Sequence, residues 1–132
     1  MLKVDNVEIT YNDVILAVKG VSLRVPDGEI VALLGANGAG KSTVLKAISG
    51  ILKSQEGKIE RGEITYDGKV LNEVSAEKIV KLGISQVPEG RKVFYDLTAY
   101  ENLRAGAFTR RDRKNIKRDL EEVLTYFPRL KD

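Results

Sequence analysis

Apolar and polar residues alternate from the first positions of the chain. Leu2, Val4, Val7 and Ile9 are apolar, against polar Lys3, Asp5, Glu8 and Thr10, the pattern of a half-buried strand. Asn12-Asp13 is a turn signal, and Val14–Val18 reads as a second strand in a hairpin with the first. Val21–Val25 reads as a third strand, closed by the turn Pro26-Asp27-Gly28. At Glu29–Leu34 the alternation gives way to a continuous apolar run. Such a run predicts a strand of a parallel sheet with both faces covered. A glycine-rich turn follows at Gly35–Gly40. Ser42–Ser49 then has helical spacing through Val44, Leu45 and Ile48, with Gly50 as its stop.

Downstream, Lys53–Lys58 reads as a polar loop and Glu63–Tyr66 as a short strand ending in Asp67-Gly68. Ser75–Leu82 predicts a short helix stopped by Gly83, and Ile84–Val87 another strand. Thr98-Ala-Tyr-Glu101 matches a capping box, so a helix starts at Thr98. A last helix runs from about Arg111 to Phe127, with Ile116, Leu120, Val123, Leu124 and Phe127 on one face. A β-rich opening followed by alternating strands and helices predicts an α/β fold.

Composition narrows the chemistry. The 132 residues include no His and no Cys. Disulfides, thiolate nucleophiles, imidazole metal ligands and Ser–His triads are therefore excluded. Carboxylates, Lys, Arg, Tyr, hydroxyls and the backbone remain. With 22 Lys plus Arg against 19 Asp plus Glu, the net charge is only +3. The N-terminal residues have no signal-peptide core, and the longest apolar run, Ile30–Leu34, is far short of the ~20 residues that span a bilayer. A soluble, cytoplasmic location is expected.

Gly35-Ala-Asn-Gly-Ala-Gly40-Lys41-Ser42 fits G-x-x-x-x-G-K-[ST] in full. In that arrangement successive N–H groups of Asn37, Gly38, Ala39, Gly40, Lys41, Ser42 and Thr43 surround one hollow at a helix start, where the helix dipole favours an anion. Lys41 adds a charge that reaches β- and γ-phosphates, the Ser42 hydroxyl can ligate Mg²⁺, and Thr43 can donate to an α-phosphate. Four fixed positions match by chance in well under about 1% of chains of this length. The preceding apolar run and the following helical pattern are the context such a loop requires. A nucleoside-triphosphate site is the reading.

The class of nucleotide protein is less constrained. No N-K-x-D guanine reader is present. Arg104–Arg118 carries Arg104, Arg110, Arg111, Arg113, Lys114, Lys117 and Arg118 against one Asp112. It reads either as the arginine lid of a small-molecule kinase or as a solvated helix face, partly balanced by Asp119, Glu121 and Glu122. Phe108 alone supplies no aromatic interleaving, which argues against nucleic acid.

Gly28–Gly50, GEIVALLGANGAGKSTVLKAISG, resembles the Walker A region of ABC-transporter ATP-binding subunits. Ile84–Ala107, ISQVPEGRKVFYDLTAYENLRAGA, resembles the Q-loop region of the branch that serves branched-chain amino acid transporters. The resemblance implies a P-loop NTPase core with an N-terminal antiparallel β subdomain and the start of a helical subdomain. Residues 1–87 would be the β subdomain and P-loop core, and 88–132 the Q-loop and helical start. It also implies that Tyr11 stacks on adenine and that Gln86 senses Mg²⁺ and the γ-phosphate of ATP, as catalytic and metal-site residue. The loop Pro88–Tyr95 would touch a membrane permease. The complete subunit would hydrolyse ATP in a head-to-tail dimer on the inner face of the membrane, with two permeases and, indirectly, a periplasmic binding protein.

The family pattern continues into an L-S-G-G-Q signature, a Walker B strand, a D-loop and a switch histidine, and none of these is in the sequence. The chain is expected to be the N-terminal part of such a subunit, to bind nucleotide without turnover, and to be marginally stable. The strand Glu29–Leu34 would lack its neighbour.

Overall fold

The computed structural model describes Met1–Lys131 and divides the chain into two compact units, residues 1–86 and 87 onward. In the first unit, strands β1 (Leu2–Tyr11), β2 (Ile15–Val25), β3 (Gly57–Tyr66) and β4 (Lys69–Val70) form one antiparallel sheet in the order β2-β1-β3-β4. Val4, Val7, Ile9, Val18 and Ile64 of this sheet are buried in one cluster with Val44, Ala47 and Ile48 of helix α1 (Lys41–Ile48) and Ile79 of helix α2 (Ala76–Lys81). Helices of eight and six residues are too short to persist alone. Burial of the Val and Ile side chains, at roughly 1.5–3 kcal/mol each, is what keeps the helices formed.

The spacing of Val4 and Val7 departs from strict alternation, and the sheet explains it. Asn6 has φ 47°, and the pairing of β1 with both neighbours shifts register around it. The extra residue returns Val7 to the face of Val4, so both are buried. Gly20 (φ 70°) and Gly62 (φ 81°) lie beside the bulge on the flanking strands. A Cβ on Gly62 would stand 2.3 Å from the Asn6 carbonyl oxygen. The Asn6 amide donates to Ser22 Oγ at 2.8 Å, so the displaced backbone group is satisfied.

Several elements differ from the sequence expectation. The two strands expected at Val14–Val18 and Val21–Val25 form one strand, Ile15–Val25, because the irregularity at Gly20 does not end β2. The predicted strand Glu63–Tyr66 begins at Gly57, after a 3₁₀ turn at Lys53–Gln55. Asp67 and Gly68, both with positive φ, close a two-residue hairpin to β4. Glu29–Leu34 and Ile84–Val87 are not strands. A strand needs a partner for its backbone groups, and no described segment pairs with either. Ile30 is 100% and Leu34 87% exposed, the reverse of the expected burial. The sheet of this unit is therefore wholly antiparallel, and the parallel core that the sequence implies is not assembled among the described residues.

The second unit holds helices α3 (Ala99–Gly106) and α4 (Arg113–Tyr126) and a 3₁₀ turn at Pro128–Lys131. The capping box is present: the Glu101 amide donates to Thr98 Oγ1 at 3.2 Å, and the Thr98 amide donates to Glu101 Oε2 at 2.8 Å. Ile116, Leu120, Val123 and Leu124 are half-buried on one face of α4, while Phe127, past its end, is exposed. Neither helix has a fully buried residue. No helix among the described residues is long and apolar enough to cross a membrane.

Two glycines with almost the same backbone angle test the bulge. At Gly68 (φ 78°) a Cβ meets nothing within 4 Å, whereas at Gly62 it meets the β1 backbone at Asp5 and Asn6. Gly68→Ala is expected to cost about 1–2 kcal/mol from the left-handed conformation alone. Gly62→Ala is expected to cost about 1–3 kcal/mol more, from the clash. Urea denaturation of the two variants measures the difference; equal costs would contradict the packing of Gly62 on Asn6.

Candidate nucleotide-binding site

The loop Gly35–Gly40 leads directly into α1, and its glycines have separate duties. Gly38 (φ 82°) stands in open space, so its need for glycine is conformational. Gly40 (φ 90°) is the N-cap of α1, and a Cβ there would lie 2.7 Å from the Ala17 carbonyl oxygen and 2.9 Å from Val18 Cγ2. Glycine at this position lets the loop rest directly on β2. No side chain caps α1, so its first N–H groups remain available to an anion.

Lys41 folds back over the loop. Its Nζ donates to the carbonyl oxygens of Gly35 at 2.5 Å and Ala36 at 2.6 Å. The ammonium is thus held against the loop by two neutral backbone acceptors. Asn37, Gly38, Ala39 and Ser42 are exposed, and Thr43 is half-buried. Tyr11, at the end of β1, donates its hydroxyl to Thr43 Oγ1 at 3.4 Å. A Cβ on Gly57 would lie 2.9 Å from the Tyr11 ring, so the ring lies against β3 beside the loop. The structure therefore brings Tyr11, Lys41, Ser42 and Thr43 into one neighbourhood.

It does not bring Gln86 there. Ser49 Oγ donates to Gln86 Oε1 at 2.5 Å. Ser49 is the C-cap of α1, at the opposite end from Ser42. Seven residues at 1.5 Å rise put the two hydroxyl-bearing positions roughly 10 Å apart along the axis. No chemical signal in the sequence pointed to Ser49, a small hydroxyl residue at the end of an apolar helix.

For a divalent cation, no group of three or more acidic residues converges among the described residues. The donor here is the exposed hydroxyl of Ser42. That fits Mg²⁺, which keeps waters and takes phosphate oxygens with few protein ligands, better than a cation that needs a protein cage.

In the second unit the loop after Gln86 is exposed, including Phe94 and Tyr95. It is nevertheless organised. Asn102 of α3 accepts from the Phe94 amide at 2.9 Å, and its Nδ2 lies 3.0 Å from the carbonyl oxygens of both Phe94 and Thr98. A cavity of about 740 Å³ within this unit is lined by Lys92, Val93, Phe94, Tyr95, Leu97 and Leu130, among others. The arginines of Arg104–Arg118 are partly engaged: Arg110 pairs with Asp112 and Asp119, each at 2.6 Å, and Arg118 pairs with Asp119. Its hydrogen bond from Arg110 holds the Asp112 carboxyl well below the ordinary carboxylate range. An arginine held by two carboxylates favours the helix-face reading of this segment over a lid.

The family model described as ABC transporter matches residues 18–131. The high-affinity branched-chain amino acid transport ATP-binding protein BraG of Pseudomonas aeruginosa is 42% identical over 132 residues, which is 100% of this chain and 54% of that protein. The ribose import ATP-binding protein RbsA of Jannaschia sp. (strain CCS1) is 40% identical over 90 residues, 68% of this chain and 16% of that protein. The dimeric post-hydrolysis structure of the ATP-binding cassette MJ0796, bound to ADP and Pi, superposes with a TM-score of 0.72 at 30% identity, covering 92% of this chain and 55% of that one. The chain spans about half the length of BraG and of the MJ0796 chain. Loop, helix, sheet and these matches lead to one assignment: the chain belongs to the ABC transporter family.

Proposed function

We propose that this chain is the nucleotide-binding part of an ATP-binding subunit that drives import of branched-chain amino acids. The observation that carries nucleotide binding is the loop Gly35–Thr43 seated on β2, with open helix N–H groups and Lys41 poised over it. The solute reading is supported by the whole-chain similarity to BraG. The sugar importer RbsA matches a shorter stretch at similar identity, which makes the solute the finest part of the reading.

The residues divide the work by position. On binding ATP, the Lys41 ammonium exchanges the carbonyls of Gly35 and Ala36 for phosphate oxygens. N–H groups of Asn37, Gly38, Ala39, Gly40, Lys41, Ser42 and Thr43 point donors at the phosphates. The Ser42 hydroxyl would hold Mg²⁺, which would supply neutralisation of the phosphate charge. Tyr11 offers its ring to adenine next to Thr43, and Gln86 reports the γ-phosphate. Val87–Tyr95 carries the exposed aromatic residues for a permease, and a second ATP-binding subunit packs head to tail. The subunit would lie on the inner face of the membrane, indirectly served by a periplasmic binding protein.

Two outcomes follow. Lys41→Ala is expected to weaken ATP and ADP binding by about 2–4 kcal/mol, the scale of losing one partner of a desolvated charge pair. Equilibrium titration with a fluorescent nucleotide measures it, and unchanged affinity would refute the phosphate-loop reading. The 132-residue chain is also expected to show no steady ATP hydrolysis. Phosphoryl transfer needs a group that orients the attacking water and donors for the charge that develops. The loop provides donors only. Phosphate release should equal that of the Lys41→Ala control; release well above it would reassign the water-orienting task to Glu89 or Asp96.

A further inference from the structure

Ser49 is the one buried polar side chain among the described residues. Its hydroxyl lies 3.0 Å from the Leu45 carbonyl oxygen, 3.3 Å from that of Lys46 and 2.5 Å from Gln86 Oε1. A hydroxyl has a single proton, so it serves one of these three acceptors at a time. The Leu45 and Lys46 carbonyl oxygens already accept from the amides of Ser49 and Ile51, so the hydroxyl proton is free for Gln86 Oε1. Gln86 is thereby tied to the C-terminal end of α1.

Ile84 places it there. Its side chain packs against the buried cluster, and its amide donates to the Ile79 carbonyl of α2 at 3.4 Å. The chain therefore arrives at Gln86 already anchored near Ser49. The phosphate loop lies at the other end of α1, roughly 10 Å away at 1.5 Å per residue. One amide group cannot bond both ends at once.

We propose that Ser49 is a positioning residue for Gln86. It holds the glutamine off the phosphate loop, and their hydrogen bond breaks when Gln86 reaches the terminal phosphate of a bound nucleoside triphosphate. This rests on the reading of Gln86 as a γ-phosphate sensor. Diphosphate binding does not call on Gln86, so the tie lowers apparent affinity for the triphosphate alone. A neutral hydrogen bond shifts such an equilibrium about two- to tenfold.

The test compares wild type, Ser49→Ala, Ser49→Thr, Gln86→Ala and the Ser49→Ala/Gln86→Ala double variant. Each is titrated with Mg-ATP and Mg-ADP, and the ratio of the two affinities is the readout. Ser49→Ala is expected to raise the ATP:ADP ratio about two- to tenfold. Ser49→Thr, which keeps the hydroxyl, should retain the wild-type ratio, and Ser49→Ala should have no effect once Gln86 is gone. Gln86→Ala alone should lower the ratio. If it does, and Ser49→Ala leaves the ratio unchanged or lower, the positioning role is overturned while the sensor reading stands. If Gln86→Ala leaves the ratio unchanged, the sensor reading fails and the proposal falls with it. A measurement on unaltered protein guards against variants that do not fold. The ¹⁵N–¹H resonances of the Gln86 side-chain amide should move on saturation with Mg-ATP and stay in place with Mg-ADP. Resonances that respond alike to both nucleotides would overturn the proposal.

Discussion

The close approach of Gly40 to β2 is the contact on which the rest of the first unit depends. With 2.7 Å between a notional Cβ and the Ala17 carbonyl oxygen, no other residue fits without moving the strand or the loop. The contact fixes where α1 begins. From that point Val44, Ala47 and Ile48 fall on the sheet and are buried. The same start leaves the first N–H groups of α1 without a side-chain cap, next to the loop that Lys41 ties down. The packing of α1 and the exposure of its uncapped N-terminus both follow from one backbone contact. A site carried by a strand and a packed helix is held more rigidly than one carried by a loop alone.

The apolar residues that the sheet does not cover are the counterweight. Ile30, Val31, Leu33 and Leu34 lead straight into the phosphate loop and remain exposed among the described residues. Their backbone groups have no ladder to join. The loop is thus anchored firmly on its α1 side, through Gly40, and weakly on the side by which the chain enters. Lys41 offsets part of that weakness, because its bonds to Gly35 and Ala36 tie the entering chain to the helix. Phosphate would compete for that same ammonium.

The two units also differ in charge. Residues 1–86 carry 11 basic and 11 acidic residues, while residues 87–132 carry 11 basic and 8 acidic ones, so the whole surplus of +3 lies in the second. Some of it is neutralised locally by the pairs of Arg110 and Arg118. In that unit the exposed aromatics Phe94 and Tyr95 sit on a turn whose backbone is fixed by Asn102. Apolar side chains on a turn already ordered lose less entropy on meeting a partner than the same side chains on a loose loop.

The loop pattern was legible within eight consecutive residues because its requirements are local: positive φ at Gly38 and Gly40, charge at Lys41, a hydroxyl at Ser42. The capping box at Thr98 and Glu101 was legible for the same reason, since both partners lie within one turn. The helix starts and the Asn12-Asp13 and Asp67-Gly68 turns were equally local. What the sequence could not settle were interactions between distant segments. An apolar run such as Ile30–Leu34 says what its side chains avoid, but whether it is a strand depends on a partner elsewhere. The unity of β2 through Gly20, and the return of Val7 to the Val4 face, depend on a bulge shared across three strands. Gln86 shows the division most sharply. Its neighbours mark it as a residue of interest, yet its hydrogen bond is to Ser49, 37 positions away in sequence. Local backbone and capping chemistry was therefore determined by the sequence itself, and long-range pairing and the station of Gln86 by the tertiary structure, because a hydrogen bond or a buried face exists only where folding delivers its partner.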